Sequence, residues 1–98
     1  MTTVVWSDDA LDDLDALLRH VAQDRPKGAL ALADRIDEAV SGLAEFATGR
    51  QGRVAGCYEK VVGRTPYIVA YALTDNRITI LRVIHGSRDW PEGKWPEE

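Results

Sequence analysis

Apolar and polar residues follow two different periods along this chain. From residue 8 onward, apolar side chains recur every three or four positions, which is typical of helices that bury one face. Beyond residue 56, β-branched and aromatic residues dominate, which favours extended structure. The same composition marks Thr3–Trp6 near the start of the chain. The pattern therefore predicts a short strand, a helical first half and a second half made of strands.

Two helices account for the first half. Ser7 offers an N-cap oxygen to a helix whose first turn carries Asp8 and Asp9, which suit the helix dipole. Pro26, within the breaker segment 24–28, ends this pattern, since proline is tolerated in a first turn but not inside a helix. We predict an antiparallel helical hairpin with two apolar stripes: Leu11, Leu14, Leu17, Leu18 and Val21 in the first helix, and Leu32, Ile36, Ala39, Val40 and Leu43 in the second.

Three strands are predicted after a glycine-punctuated loop at 48–53, namely Gly56–Val62, Tyr67–Leu73 and Arg77–His85. Side chains of Tyr67–Leu73 are nonpolar on both sides, so we place this strand centrally. The helices then cover one face of the sheet and leave the opposite face as an open groove. The expected fold is α+β, with an N-terminal strand, a helical hairpin and a three-stranded antiparallel meander, in a single domain 1–98 with a short tail at 91–98.

Composition agrees with one small soluble domain. The 98 residues are 45% hydrophobic and 29% charged, and they contain no internal repeat. The longest apolar run, Tyr67–Leu73, is far shorter than a membrane span. Residues 1–20 lack the basic start of a signal peptide. The single cysteine, Cys57, suits a reducing compartment, so we expect a cytoplasmic protein without a membrane partner.

Charge is distributed unevenly along the chain. Residues 1–49 hold ten acidic and four basic side chains, whereas residues 50–88 hold seven basic and two acidic ones. The last ten residues are acidic again, and the net charge is −4 with a pI of about 5.1. The basic middle suits an anionic partner, but the acidic whole argues against direct nucleic-acid binding.

Several short segments carry a resemblance to a known family. The most specific runs from the last predicted strand into the tail, Ile80-Leu81-Arg82-Val83-Ile84-His85-Gly86-Ser87-Arg88-Asp89-Trp90-Pro91. Others are Gly52-Arg53, Gly56, Glu59-Lys60-Val61-Val62, Thr65-Pro66-Tyr67-Ile68-Val69 and Tyr71. Together they closely resemble toxins of the RelE/ParE superfamily, and the ParE branch in particular, over essentially the whole chain.

This resemblance implies the toxin half of a bacterial type II toxin-antitoxin pair. A ParD-like antitoxin would hold it inactive in a heterodimer or heterotetramer. ParE-type members block DNA gyrase, whereas RelE-type members cut messenger RNA on the ribosome. A third alternative is a module that has lost toxicity and only binds its antitoxin for operon control.

A ribonuclease needs a proton-transfer group and cations for the phosphate. His85 could transfer the proton, and Arg82, Arg64 and Arg53 could supply positive charge. Along a regular strand, however, His85 shares a face with Leu81 and Val83, whereas Arg82 points with Ile80 and Ile84, unless a bulge intervenes. Since basic residues are also few, we favour gyrase binding, for which no catalytic residue is assigned.

Candidate binding residues fall into two sets. Arginines suit the carboxylates of an acidic antitoxin tail, so the antitoxin set is Arg50, Arg53, Tyr58, Lys60 and Arg82. Many ParE-like sequences have an arginine where this one has Tyr58. Resemblance places target binding after the last strand, and this set is Arg88, Trp90 and Trp95.

No metal or cofactor is expected. Consecutive carboxylates around a helix start point in diverging directions, so we read the acidic row as a solvated face: Asp8, Asp9, Asp12, Asp13 and Asp15. Residues 49–52 lack the ending of a phosphate-binding loop. Cys57 has no predicted activating partner, and we expect it to be a buried apolar residue.

Overall fold

A computed structural model of the chain describes residues 3–45, 56–74 and 76–86, and the backbone alone at residues 50–51. These residues form a helical hairpin and one five-stranded sheet. In chain order the elements are β1 (Thr3–Trp6), α1 (Asp8–Asp24), α2 (Pro26–Glu45), β2 (Arg50–Gln51), β3 (Tyr58–Val61), β4 (Tyr67–Thr74) and β5 (Arg77–His85).

The predicted α+β architecture is confirmed. The bounds of β1 and β5 agree with the prediction, while β3 is shorter at both ends and β4 extends one residue further. The two-residue strand β2 lies where a loop was expected, so this part of the prediction was wrong. A strand of two residues is too short for a pattern of alternating side chains to show in the sequence.

The five strands lie in the order β1-β5-β4-β3-β2. The last four strands form an antiparallel meander, and β1 joins the meander parallel to β5. A parallel connection needs a crossover, and the helical hairpin supplies it. β4 lies in the middle of the sheet, as its apolar sequence predicts.

A single residue, Arg25, joins the two helices. Its backbone (φ −142°, ψ 84°) is not helical, as expected for a residue that precedes proline, and its amide donates to the carbonyl oxygen of Val21 at 2.8 Å. Pro26 then begins α2, at the position where a helix tolerates proline. Neither of these two described helices is long and apolar enough to cross a membrane.

Both helices pack on one face of the sheet. Leu11, which we placed in the buried stripe of α1, is instead 48% exposed, and Ala10 is fully buried in its place. Ser7 and Asp13, three residues before and after Ala10, both contact β5, and this turns Ala10 rather than Leu11 toward the sheet. The stripe predicted for α2 is confirmed. The buried residues between the helices and the sheet form one hydrophobic core, made of Ala10, Leu17, Leu32, Ile36, Val40, Leu43, Val62, Val69, Tyr71, Ile78, Ile80 and Val83.

The second face of the sheet is not the open groove that the sequence predicts. Ile68, Ala70, Ala72 and Ile84 are between 0 and 9% exposed, although none belongs to the core on the helical side. Since the structure contains one chain, the chain's own atoms cover these side chains. Glu59 pairs with Ala70 across β3 and β4, and Arg82 pairs with Ala70 across β4 and β5, so two longer side chains flank this alanine.

A β-bulge interrupts β5 at Leu81. Ala70 pairs with Arg82, but the next residue of β4, Tyr71, pairs with Ile80, so Leu81 is the extra residue. The bulge changes the alternation along the strand. Ile80 therefore lies on the helical face and Arg82 on the opposite face. The expectation that these two side chains point the same way applied to a regular strand, and the bulge is the exception that it allowed for.

At this bulge, the edge of β5 that pairs with β1 exchanges its hydrogen-bond partners: strand β1 up to Ile80, and the start of α1 beyond it. Pairing with β1 ends at Ile80, whose carbonyl oxygen accepts from the amide of Ser7 at 2.9 Å. The Ser7 hydroxyl donates to the carbonyl oxygen of Leu81 at 3.0 Å and accepts from the amide of Ala10 at 3.1 Å. One N-cap residue therefore starts α1 and also donates a hydrogen bond to the carbonyl oxygen of the bulged residue.

Asp13 closes the next position along this edge. Its Oδ2 accepts from the backbone amide of Val83 at 3.0 Å, and its carboxylate receives two hydrogen bonds from Arg82, from Nε at 2.7 Å and from Nη2 at 3.0 Å. The two side chains are only 23% (Arg82) and 17% (Asp13) exposed. Hydrogen bonding to Asp13 raises the pKa of Arg82 above its usual value, so the guanidinium stays charged. We call Ser7, Asp13 and Arg82 the edge clamp.

Replacing Ser7 tests the cap. We expect Ser7→Ala to lower the free energy of unfolding by about 1 to 2 kcal/mol, because the cap oxygen and the partner of the Leu81 carbonyl are both lost. Ser41→Ala is the matched control, since Ser41 is exposed within α2. It should change the free energy by no more than about 0.5 kcal/mol. Urea denaturation measures both, and equal losses would contradict the capping role.

A second series tests Asp13. Asp13→Ala should cost about 3 kcal/mol, because it leaves both the Val83 amide and a half-buried guanidinium without this partner. Asp13→Asn should cost less, about 1 to 2 kcal/mol, since the amide oxygen can still accept a hydrogen bond. Asp12→Ala, at an exposed neighbouring position, is the control and should stay within about 0.5 kcal/mol of wild type. The edge clamp would be refuted if Asp13→Ala and Asp12→Ala unfolded at the same urea concentration.

Candidate functional site

The structure separates the main residues proposed for RNA cutting. Arg82 lies on the second face of the sheet and is bound by Asp13 at the edge of β5, whereas His85 pairs with Tyr67 on the side of the helices. The rings of His85 and Tyr67 meet edge to face, with centroids 5.5 Å apart and an interplanar angle of 80°. The bulge could have brought His85 and Arg82 together, but regular alternation resumes at Arg82 and keeps them on opposite faces.

Arg64 occupies the turn between β3 and β4. Its φ of 61° lies in the left-handed region, which is uncommon for a residue other than glycine. Arg64 is exposed and lines one cleft together with Tyr67, whose ring contacts His85. Arg53, the remaining cation of this set, lies outside the described residues.

The predicted antitoxin-binding residues divide between the two faces. Tyr58 stacks on Tyr71 on the helical side, with ring centroids 5.6 Å apart, and Lys60 lines a cleft beside α2. Arg82 lies on the other face. For Arg50 the structure describes the backbone, which pairs with Glu59, and Arg53 is again outside the described residues. These residues therefore do not form one continuous surface in the part of the chain that is described.

One buried acid was not anticipated from the sequence. Glu59 is 3% exposed and lies on the second face, between the backbone of Arg50 in β2 and Ala70 in β4. Its only sequence signal is an acidic residue inside a predicted strand. That signal does not distinguish a solvated side chain from a buried and partnered one.

The remaining predicted residues have varied outcomes. Within the acidic row of α1, Asp8, Asp9, Asp12 and Asp15 are exposed as expected, but Asp13 is half-buried and belongs to the edge clamp, so the reading of Asp13 as solvated was wrong. No group of three acidic, histidine or cysteine residues among the described positions could hold a metal ion. Cys57 is half-buried rather than buried.

The predicted target-binding residues lie outside the part of the chain that the structure describes. They are Arg88, Trp90 and Trp95. Their proposed role stays a prediction.

A cleft that the sequence did not predict lies between the helical hairpin and the turn before β4. Its volume is about 310 Å³, within the range of ligand-binding clefts. Three arginines line it, and no acidic residue does. We call it the arginine cleft, and its lining residues are Val21, Arg25, Gly28, Ala31, Leu32, Arg35, Arg64, Thr65, Pro66 and Tyr67. Sequence reasoning missed it because its three cations come from three separate segments.

Comparison with known proteins identifies the family. Residues 4–90 match the family model of the ParE toxin of type II toxin-antitoxin systems. The chain is 36% identical over 88 residues to Y4kP, a candidate toxin of Sinorhizobium fredii, with 89% of this chain and 91% of Y4kP covered. It is 34% identical over 89 residues to the toxin RelE2 of Caulobacter vibrioides, with 90% and 99% covered.

Solved structures show the same fold. A chain of the chromosomal ParDE toxin-antitoxin system from P. aeruginosa superposes with a TM-score of 0.79 at 29% identity, covering 87% of this chain and 96% of that one. A YoeB dimer from Staphylococcus aureus shares the fold with a TM-score of 0.53 at 16% identity, over 83% of this chain and 92% of that one. The family model, the relatives and the ParDE structure agree with the resemblance seen in the sequence, and the chain belongs to the ParE toxin family of type II toxin-antitoxin systems.

Proposed function

We propose that this toxin acts by binding DNA gyrase rather than by cutting RNA, and that a ParD-like antitoxin holds it inactive. Membership of the ParE toxin family supports this proposal, because the ParE branch is the one associated with gyrase. The similarity to a relative named RelE2 does not decide the mechanism, since the two branches share one fold and differ in chemistry.

The edge clamp is the observation that carries the choice of mechanism. A ribonuclease needs its proton-transfer group and its phosphate-binding cation within hydrogen-bonding distance of one reacting phosphodiester. Here Asp13 neutralises Arg82, and His85 lies on the opposite face of the sheet. Freeing Arg82 for a phosphate would leave Asp13 with its charge half-buried and the Val83 amide as its remaining partner. This arrangement supports a binding protein over a nuclease built on these two residues.

The proposed antitoxin partner is supported by the solved structures that share this fold, because these toxins belong to toxin-antitoxin systems. The P. aeruginosa structure is of a ParDE toxin-antitoxin system, and another structure with the same fold is a YoeB-YefM complex from Staphylococcus aureus. We extend this arrangement to the present chain and expect a heteromeric complex in which antitoxin binding prevents gyrase binding.

Expression in a bacterium without any antitoxin separates the two mechanisms. We expect growth arrest with induction of the DNA-damage response, while translated messages stay intact, because a trapped gyrase leaves cleaved DNA behind. Reporter fluorescence and transcript mapping within the first minutes measure the two effects. Early cuts in translated messages without a DNA-damage response would contradict the proposal, and normal growth with soluble protein would favour the non-toxic module instead.

Replacing His85 gives a second test. We expect His85→Gln to remain toxic, because gyrase binding needs no proton transfer from this ring. The control is His20→Gln, since His20 is exposed on α1. Plating efficiency after induction measures toxicity, and the melting temperature of each purified variant verifies folding. A ribonuclease that used His85 would lose roughly 100-fold or more of its activity. Selective loss of toxicity in folded His85→Gln would therefore overturn the proposal.

A further inference from the structure

We propose that the arginine cleft binds the carboxylates of an acidic peptide segment from a protein partner. Identifying that partner as the antitoxin rests on the proposed function. This site differs from the antitoxin-binding residues expected from the sequence. It is formed by Arg25 between the helices, Arg35 on α2 and Arg64 in the turn before β4.

None of these three guanidinium groups is neutralised within the described part of the chain, where no ion pair or side-chain hydrogen bond engages them. By contrast, Arg19 pairs with Asp15 and Arg82 pairs with Asp13. An acidic protein would be expected to pair its arginines internally, because it has more acids than bases. Three unneutralised arginines around one cleft indicate a ligand that brings the negative charge.

The helical side of the cleft holds Arg25 in place through the local sequence. Pro26 keeps Arg25 out of the helical conformation, and the Arg25 side chain lies against the first turn of α2 at Gly28. Gly28 makes room for it, because a Cβ at this position would lie 3.1 Å from Cβ of Arg25 and 3.7 Å from its Nε. The first turn of α2 carries no acidic side chain, so the positive end of the helix dipole adds to the charge of the cleft.

The turn on the other side presents Arg64 at an energetic cost. The left-handed backbone of Arg64 is unfavourable for a residue with a Cβ. Thr65 fixes the turn, since its hydroxyl donates to the Val62 carbonyl oxygen at 2.8 Å and accepts from the Tyr67 amide at 3.1 Å. A glycine would fit this backbone without strain, so the arginine at this position is better explained by what it binds than by the turn.

The chemistry of the cleft favours a peptide over a nucleic acid. Between the arginines, the lining is largely apolar and includes Val21, Leu32 and Tyr67, whose ring is in edge-to-face contact with that of His85. An acidic segment with interspersed apolar residues complements both parts of this surface. A nucleic-acid backbone needs an extended basic surface, whereas four of the five acids in the row of α1 are exposed on the same hairpin.

A direct binding measurement tests this proposal. The probe is a fluorescein-labelled peptide of twelve residues made of Glu and Leu, and the control peptide has Gln in place of every Glu. We expect the acidic peptide to bind the full chain, with NMR shifts of the Gly28 and Thr65 amides, and the Gln peptide to bind at least tenfold more weakly, since a bond between charged groups contributes about that factor. Equal binding of both peptides, or no binding of either, would overturn the proposal.

Variants of the chain make the test specific to the cleft. The triple variant Arg25→Gln, Arg35→Gln, Arg64→Gln should weaken binding about 100-fold or more, whereas Arg19→Gln combined with Arg77→Gln, at two exposed arginines outside the cleft, should stay within about twofold. Arg64→Gly should weaken binding about tenfold while its melting temperature stays at or above that of wild type, because the backbone strain is relieved. Loss of binding in the control variant, or full binding in the triple variant, would contradict the assignment.

Two further outcomes separate this proposal from others. Displacement of the peptide by an equal concentration of a twelve-nucleotide single-stranded DNA would indicate a nucleic-acid site and overturn a peptide site. A chain that traps gyrase but ignores the acidic peptide would refute the arginine cleft alone. A chain that binds the peptide but leaves gyrase unaffected would support the cleft and refute the proposed toxic activity.

Discussion

The fold depends on which groups form hydrogen bonds with the backbone amides and carbonyl oxygens of β5 beyond the point where its pairing with β1 ends. Beyond Ile80, none of the described strands pairs with that edge, and a bulge at Leu81 adds another displaced residue. An unpaired backbone group that is shielded from water costs about 1 to 3 kcal/mol, a large fraction of the stability of a domain this small. The start of α1 removes this cost, because Ser7 binds the Leu81 carbonyl and Asp13 binds the Val83 amide. The same contacts fix the position of the helical hairpin on the sheet.

This solution limits what the sheet can do chemically. Asp13 brings a negative charge to the edge of β5, and Arg82 compensates it with two hydrogen bonds. A strand arginine that could have held a phosphate is thereby committed to the fold, and His85 supports Tyr67 on the other face. Three arginines that form no ion pair with an acid among the described residues lie instead around the arginine cleft, at the far end of the hairpin from Ser7. Under the function proposed above, the fold of the family is retained and its surface serves binding rather than catalysis.

The sequence was sufficient for most of the architecture and for little of the site. Helical periodicity, the Arg25-Pro26 junction and the apolar run of β4 are local signals, and each predicted its element correctly. The contact of Asp13 with β5 could not be predicted, because a row of acids at a helix start does not show which of them contacts a distant strand. The bulge has no signature in a run of apolar residues, so the facing of Ile80 and Arg82 could not be derived. The arginine cleft depends on tertiary contacts between residues up to 39 positions apart, from Arg25 to Arg64.

The hydrogen exchange of the Val83 backbone amide tests the central claim most directly. If the carboxylate of Asp13 closes the edge of β5, this amide should exchange with solvent only through global unfolding, at the rate of the amides in the middle of β4. In the Asp13→Ala variant, measured where the protein is still folded, its exchange should accelerate by orders of magnitude, while exchange of the β4 amides accelerates far less. Exchange of the Val83 amide within minutes in the wild-type chain, as at an open sheet edge, would contradict the account.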